Sequence, residues 1–169
     1  MSGSRLIVLR GNSGSGKSSV ARALRAEVGY GLAWVEQDYL RRILLREPDV
    51  AGALNIRLID QTVRLALDGG YHVVLEGILD AGRYLDMLSA LVQTYRDRAH
   101  LYYFDVSFEE TVRRHAGRPQ AAEFTPAEMQ GWYRPLDRLP GLAEQIIPAT
   151  STLDQTVRRI LTETGLSPG

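Results

Sequence analysis

Gly11-Asn12-Ser13-Gly14-Ser15-Gly16-Lys17-Ser18 sets one ammonium and one hydroxyl behind a run of small residues, and Ser19 follows. The chain carries 20 Lys and Arg residues, and Lys17 is the only lysine among them. The spacing is the phosphate-binding pattern G-x-x-x-x-G-K-[ST]. In such a loop the glycines turn backbone N–H groups inward around phosphate oxygens. The lysine meets the β- and γ-phosphates as a point charge, and the hydroxyl ligates Mg²⁺. A planar guanidinium fits that tight loop poorly, so a chain otherwise built with arginine needs its lysine here. The implied ligands are ATP and Mg²⁺. Lys17 stabilises charge on the transferring phosphoryl group, Ser18 binds the metal, and Ser13, Gly14, Ser15 and Gly16 donate backbone N–H groups.

Three further groups of residues bear on the chemistry. Asp38, in Glu36-Gln37-Asp38-Tyr39-Leu40-Arg41-Arg42, follows a predicted strand. A carboxylate at a strand's carboxyl edge faces the same crevice as the phosphate loop and can take the proton of an attacking hydroxyl. It can also cap the helix that follows. Arg41 lies one helical turn on and would share its face, placed to hold an acceptor or the γ-phosphate. Glu76, in Val73-Val74-Leu75-Glu76-Gly77, ends a second strand, where an acid holds Mg²⁺ or sits at a solvated edge. Arg114 and Arg118, in Arg113-Arg114-His115-Ala116-Gly117-Arg118-Pro119, are four apart before a polar, weakly structured stretch. They read either as lid arginines that reach adenine and phosphate or as a basic helix end favoured by the helix dipole. The lid covers approximately residues 114–134. Arg134 and Arg138 are candidates to extend it but read better as surface residues. Trp34, Tyr39, Trp132 and Tyr133 are stacking candidates for which core packing is the default. Asp49–Gly52 matches the D-x-x-G of GTPases, but no N-K-x-D motif exists without a second lysine, which argues against a GTPase switch.

These residues need a sheet to hold them. Apolar β-type runs alternate with helix-period runs, which predicts a parallel sheet with helices on both faces. Strands are expected at Leu6–Leu9, Leu32–Val35, His72–Leu75, Leu101–Val106 and Gln145–Ile147. Helices are expected at about Lys17–Val28, after Asp38 as far as Pro48, at Val50–Asp68 with Leu54, Leu58, Ile59, Val63, Ala66 and Leu67 as its stripe, and at Arg83–Arg96. A further helix follows a capping box of Ser107 with Glu110. A short one begins at Thr125, Pro126 and Glu128, and a last one is boxed by Thr152 and Gln155. Five strands with right-handed crossovers make an open three-layer α/β/α sandwich.

With 169 residues, 44% hydrophobic and 24% charged, the chain is expected to be a single soluble domain over residues 1–169. Zero formal net charge shows no bulk attraction to nucleic acid or membrane. With no cysteine, disulfides and thiolate metal sites are excluded, and His72, His100 and His115 are too scattered for a metal set. MSGSRLIVLR has too short an apolar run for a signal peptide and no stretch approaches a membrane span, so the expected compartment is the cytoplasm.

On these motifs the chain resembles the small phosphate-loop kinases of the nucleoside-monophosphate-kinase-like superfamily. Within it, the similarity is to the branch of polynucleotide 5′-hydroxyl kinases, zeta-toxin-type sugar-nucleotide kinases and chloramphenicol phosphotransferase. Asp38-Tyr39-Leu40-Arg41 looks like the D-x-x-R of the polynucleotide kinases, which implies Asp38 as general base and Arg41 on substrate phosphate. Leu75-Glu76-Gly77-Ile78-Leu79 is similar to the zeta-type strand signature, and Arg114 and Arg118 match the paired lid arginines. The resemblance also implies a 2-3-1-4-5 sheet and places Pro148-Ala149-Thr150 beside adenine. The expectation is therefore a kinase that transfers the γ-phosphoryl of ATP, with Mg²⁺, to a small-molecule hydroxyl. The acceptor would sit between Asp38, the Tyr39–Asp68 segment and Tyr84. The alternatives are a polynucleotide or nucleotide 5′-hydroxyl acceptor, or a non-catalytic ATP-binding regulatory module.

Overall fold

In the structure, a computed structural model that describes residues 3–169, β1 (Leu6–Gly11) runs straight into the glycine-rich loop and α1 (Lys17–Val28) leaves it. Then come β2 (Leu32–Glu36), a π-helical segment (Tyr39–Leu45), α2 (Leu54–Asp68), β3 (His72–Gly77) and α3 (Ala81–Thr94). The second half is β4 (Ala99–Asp105), α4 (Phe108–Ala116), α5 (Pro126–Trp132), β5 (Glu144–Pro148) and α6 (Leu153–Thr164). The five strands form one sheet in the order β2-β3-β1-β4-β5, as expected, and every pairing is parallel.

The strand period of two divides the core. Leu6 and Val8 of β1, with Val73 and Leu75 of β3, pack on Ile59, Val63 and Leu67 of α2 and on Tyr84, Leu88 and Leu91 of α3. Ile7 and Leu9, with Val74, Tyr102 and Phe104, pack on Val20, Ala21 and Leu24 of α1 and on Val157 and Ile160 of α6. β1 is buried on both faces, so it reads as an unbroken apolar run until Arg10.

Local boundaries differ where tertiary contacts compete with pattern. α2 begins at Leu54, not Val50: Gly52 turns the chain with φ 73, and Leu54 is half-exposed instead of joining the stripe. α3 begins two residues before the expected Arg83 and ends at Thr94. The boxes at Thr125/Glu128 and Thr152/Gln155 are complete. That at Ser107 is half-made: the hydroxyl accepts from Glu110 N, but the Glu110 carboxylate is drawn off by Arg113 and Arg114.

Beneath the site lies a buried ion cluster that the sequence analysis overlooked. Arg10, 0% exposed, donates to Leu79 O at 2.9 Å, Glu144 Oε1 at 2.7 Å, Asp137 O at 2.9 Å and Asp137 Oδ2 at 3.1 Å. Glu144 accepts in turn from Leu139 N, and Asp137 from Ala81 N. One guanidinium thus joins the loop after β3, the start of β5 and the segment after α5. A charge buried this way is tolerated because its donors are matched by oxygens, and removing it strands two carboxylates. Arg10→Met is expected to lower unfolding free energy by about 3–5 kcal/mol in urea titration at pH 7.

Candidate active site

The glycines of the loop between β1 and α1 are constrained by crowding or by positive φ. Gly14 adopts φ +80, and a Cβ there would lie 2.7 Å from Thr111 O of α4. Gly16, at φ +102, opens α1 with no side-chain cap, so the first N–H groups of the helix are left for a ligand. Lys17 is buried, and its Nζ donates to Asn12 O at 2.8 Å and Ser15 Oγ at 3.3 Å. Burial lowers its pKa to about 8, and Arg118 and Arg10 push the same way, while Glu76 and Asp38 oppose.

Ser18 Oγ donates to Glu76 Oε1 at 2.9 Å, joining the two expected metal residues. Glu76 is 3% exposed, and burial raises its pKa while Lys17 and the Ser18 bond pull it down. Glu36 on β2 is the register partner of Glu76, and the pair sets two carboxylates at neighbouring strand ends. Burial, Glu76 and Asp38 raise the pKa of Glu36, and Arg22 counteracts. The sequence offered a signal for Glu36, an acid one residue short of Gln37-Asp38, but Asp38 absorbed it. Among the described residues no group of three His, Cys, Asp or Glu forms a metal cage. A hydroxyl beside a buried carboxylate suits Mg²⁺, which takes few protein ligands and completes its shell with phosphate and water.

Asp38 stands past the end of β2 with its side chain 53% exposed and caps nothing, so the capping alternative is not realised. Oδ1 accepts from Arg41 Nη2 at 3.2 Å and Oδ2 from Arg42 Nη1 at 3.4 Å. The segment that follows is a π-helix, and both the third and the fourth residue on reach Asp38. Arg41 is absent from the cleft wall and also donates to Glu47 O at 3.2 Å. Arg42 lines the cleft instead.

Arg114, in the last turn of α4, donates to Glu110 Oε1, to Ser15 O at 3.1 Å and to Ala149 O at 3.1 Å. It thereby joins the phosphate loop to the Pro148-Ala149-Thr150 segment. Arg118 lies past the end of α4, so the two arginines do not share a helix face as expected. Its guanidinium forms no hydrogen bond or ion pair among the described residues, and burial followed by Arg114 lowers its pKa. The chain from 114 to 134 crosses the cleft. His115 Nε2 meets Phe124 O at 3.0 Å, and Phe124 packs edge-on against Trp132 at 5.1 Å. The Asn12 side chain, expected at nucleotide, donates to Arg134 O at 2.7 Å and accepts from Arg134 N at 2.8 Å, and so moors the far end of this segment to the loop.

Two cavities flank the loop. One of about 580 Å³ is lined by Lys17, Ser18, Glu76, Asp38, Arg42 and Phe124. The other, of about 540 Å³, is lined by Ser15, Gly16, Arg114, Pro148 and Thr150. Ser19 and Arg118 line both. Tyr84 is not in the acceptor wall. It is fully buried, with its hydroxyl bonded to Gln37 Nε2, Asp49 and Asn55. Asp49 also pairs with Arg83 at 2.8 Å, which makes the D-x-x-G match a structural strut. Tyr39 lines the cleft, Trp34 packs against the α1-side core, and Trp132 and Tyr133 pack in the crossing segment. Arg134 is exposed, and Arg138 donates to Glu144 O. Among the described residues no helix is long and apolar enough to cross a membrane.

The buried amine sets a pH dependence. Below about pH 8 it is charged in folded and unfolded chain alike, and the burial penalty stands in full. Between about 8 and 10.5 the folded chain sheds a proton that the unfolded chain keeps, so stability rises with pH. Across that window the wild type is expected to gain on the order of 2–3 kcal/mol relative to Lys17→Met, measured by denaturant titration of both without nucleotide.

Comparisons with known proteins agree with this fold. The AAA_33 family, described as an AAA domain, matches residues 6–138. No curated protein matches the chain. Among solved structures, the Mycobacterium tuberculosis APS kinase CysC in complex with AMPPNP and APS is similar at 18% identity. Its TM-score is 0.73, over 96% of this chain and 98% of that one. A Sinorhizobium meliloti gluconokinase is similar at 19% identity and TM-score 0.64, over 97% and 92%. The Deinococcus radiodurans tunicamycin resistance protein is similar at 18% identity and TM-score 0.66, over 98% of each chain. A shared sheet order, a glycine-rich loop with a buried lysine and a family match over most of the chain lead to one assignment: this chain belongs to the AAA_33 family and has the fold of phosphate-loop kinases.

Proposed function

We propose that this chain is an ATP- and Mg²⁺-dependent kinase, one cytoplasmic domain over residues 1–169 with a lid at 114–134, that transfers the γ-phosphoryl group to a hydroxyl of a small molecule. The observation that carries this is convergence. Lys17, Ser18, Glu76, Asp38 and Arg118 line one cavity of about 580 Å³, and the adenine-side segment lines a second that meets it at Arg118. Two of the similar folds are named as kinases of small molecules, APS kinase and gluconokinase.

Each residue then has a role. Backbone N–H groups from Ser13 to Ser19 and the α1 N-terminus bind the phosphates. The Lys17 ammonium and the unpaired Arg118 guanidinium oppose charge that develops on the transferred group, and Arg114 holds loop and adenine segment at fixed spacing. Ser18 and Glu76 would hold Mg²⁺, which when bound supplies charge neutralisation at the β- and γ-phosphates. Asp38 accepts the hydroxyl proton as the new O–P bond forms and the bond to ADP breaks. Most of the rate then comes from placement and fixed charge, since phosphoryl transfer asks little covalent chemistry of the protein. Zero net charge and a cleft with the acidic Glu123 in its wall favour a small acceptor over a nucleic-acid 5′ end.

Transfer from [γ-³²P]ATP to nucleosides, sugar nucleotides, aminoglycoside- and phenicol-type hydroxyls and 5′-hydroxyl oligonucleotides tests the reading. Labelled oligonucleotide alone at low salt would make the acceptor a nucleic-acid end. Asp38→Asn should keep ATP affinity within about threefold by calorimetry and lose about 10²–10⁴ in turnover. A variant equal to wild type in both would mark a binding module. Glu76→Gln should raise the Mg²⁺ concentration for half-maximal turnover by about tenfold, read from Mg²⁺ titration at saturating ATP.

A further inference from the structure

Arg42 touches both walls of the acceptor cleft. On its own wall its Nη1 meets Asp38 Oδ2 at 3.4 Å. Across the cleft its guanidinium lies 4.6 Å above the centre of the Phe124 ring and 3.9 Å from Glu123 Oε2. Phe124 is held in turn by His115 through its carbonyl and by Trp132 through its ring. A chain of contacts therefore runs from the strand-end carboxylate to the segment over the cleft, and it passes through a single side chain.

Arg41 has no such reach. It holds the other Asp38 oxygen, but its Nη1 goes to Glu47 O, its Nε is buried without a partner, and Glu47 N bonds back to Arg41 O. Both arginines of the π-helical segment reach Asp38, but Arg41 runs on to the Glu47 loop and Arg42 to Phe124 and Glu123. We propose that Arg42, not Arg41, is the positioning residue of the acceptor side, fixing one oxygen of Asp38 and seating Phe124 so that closure of residues 117–132 and aiming of the carboxylate are one event. The inference rests on the kinase reading for the purpose of that event, but not for its existence. A planar guanidinium is required, because it stacks on the ring and presents donors to carboxylates at its edges in the same plane.

The test joins hydrogen exchange of residues 117–132, followed by mass spectrometry, with ATP hydrolysis measured with water as the only acceptor. Arg42→Ala and Phe124→Leu should each speed exchange of that segment by about five- to tenfold, and the double variant should be no faster than either single one. Arg41→Ala should leave this exchange unchanged and speed that of residues 45–55. In hydrolysis Arg42→Ala should lower kcat about tenfold with KM for ATP within about twofold, and Arg42→Lys, which keeps the charge but not the plane, should stay impaired. If Arg42→Ala gives no cooperative melt, Arg42→Lys carries both arms. Additive effects of Arg42→Ala and Phe124→Leu, full activity in Arg42→Lys, or equal loosening of 117–132 by Arg41→Ala would each overturn the proposal. Absence of ATP binding in the wild type would instead remove the kinase reading and leave the exchange arm intact.

Discussion

An ammonium group shut away from water must be met by oxygen atoms and by negative charge close at hand. Lys17 is 7% exposed, and the loop that buries it supplies Asn12 O and Ser15 Oγ directly. Glu76 and Asp38 supply the charge from two strand ends. The same confinement demands glycine where α4 presses on the loop and a carboxylate at the end of β3. A triphosphate would satisfy the amine better than a neutral carbonyl, so the energetic cost of its burial is relieved by the ligand. That is how a loop can be stable enough to fold and still prefer to be occupied.

Around that cation the site is a balance of paired and unpaired charge. Arg114 is committed to Glu110, Ser15 and Ala149, and works as a brace. Arg118, one helical turn later in sequence but beyond the helix end, has no such commitments and is partly desolvated, which leaves its charge for an anion. On the acid side, Glu76 is tied to Ser18, Asp38 to two arginines, and Glu36 is lifted by its neighbours. Paired groups hold geometry, and unpaired ones carry the field that a ligand would feel.

The crossing segment hangs from the same loop at both ends. Arg114 reaches Ser15, and Asn12 clasps the backbone of Arg134. Arg10, two residues before Asn12, anchors Asp137 and Glu144 just beyond. Loop, the ends of the crossing segment and β5 are thus one polar assembly on the parallel sheet.

Local pattern was enough for the loop and for two of the three capping boxes, because each depends on residues close in sequence, while the sheet order came from resemblance. Ser18 and Glu76, each read separately as a metal residue, are brought into contact by a strand order that sets β3 beside β1. Local pattern failed where a partner distant in sequence decides the outcome. Spacing set Arg41 beside Asp38, where it is, but could not show that Arg41 runs on to Glu47 O and that Arg42 lines the cleft. Tyr84 looked like a pocket wall until Gln37, Asp49 and Asn55 took its hydroxyl into the core. Arg10 carries no local signal of its role, and only the convergence of Leu79, Asp137 and Glu144 makes it a buried ion. Residue type and spacing determined which chemistry this chain can hold. The wider fold decided which arginine lines the cleft, because burial and partner choice are properties of the whole fold and not of any window along it.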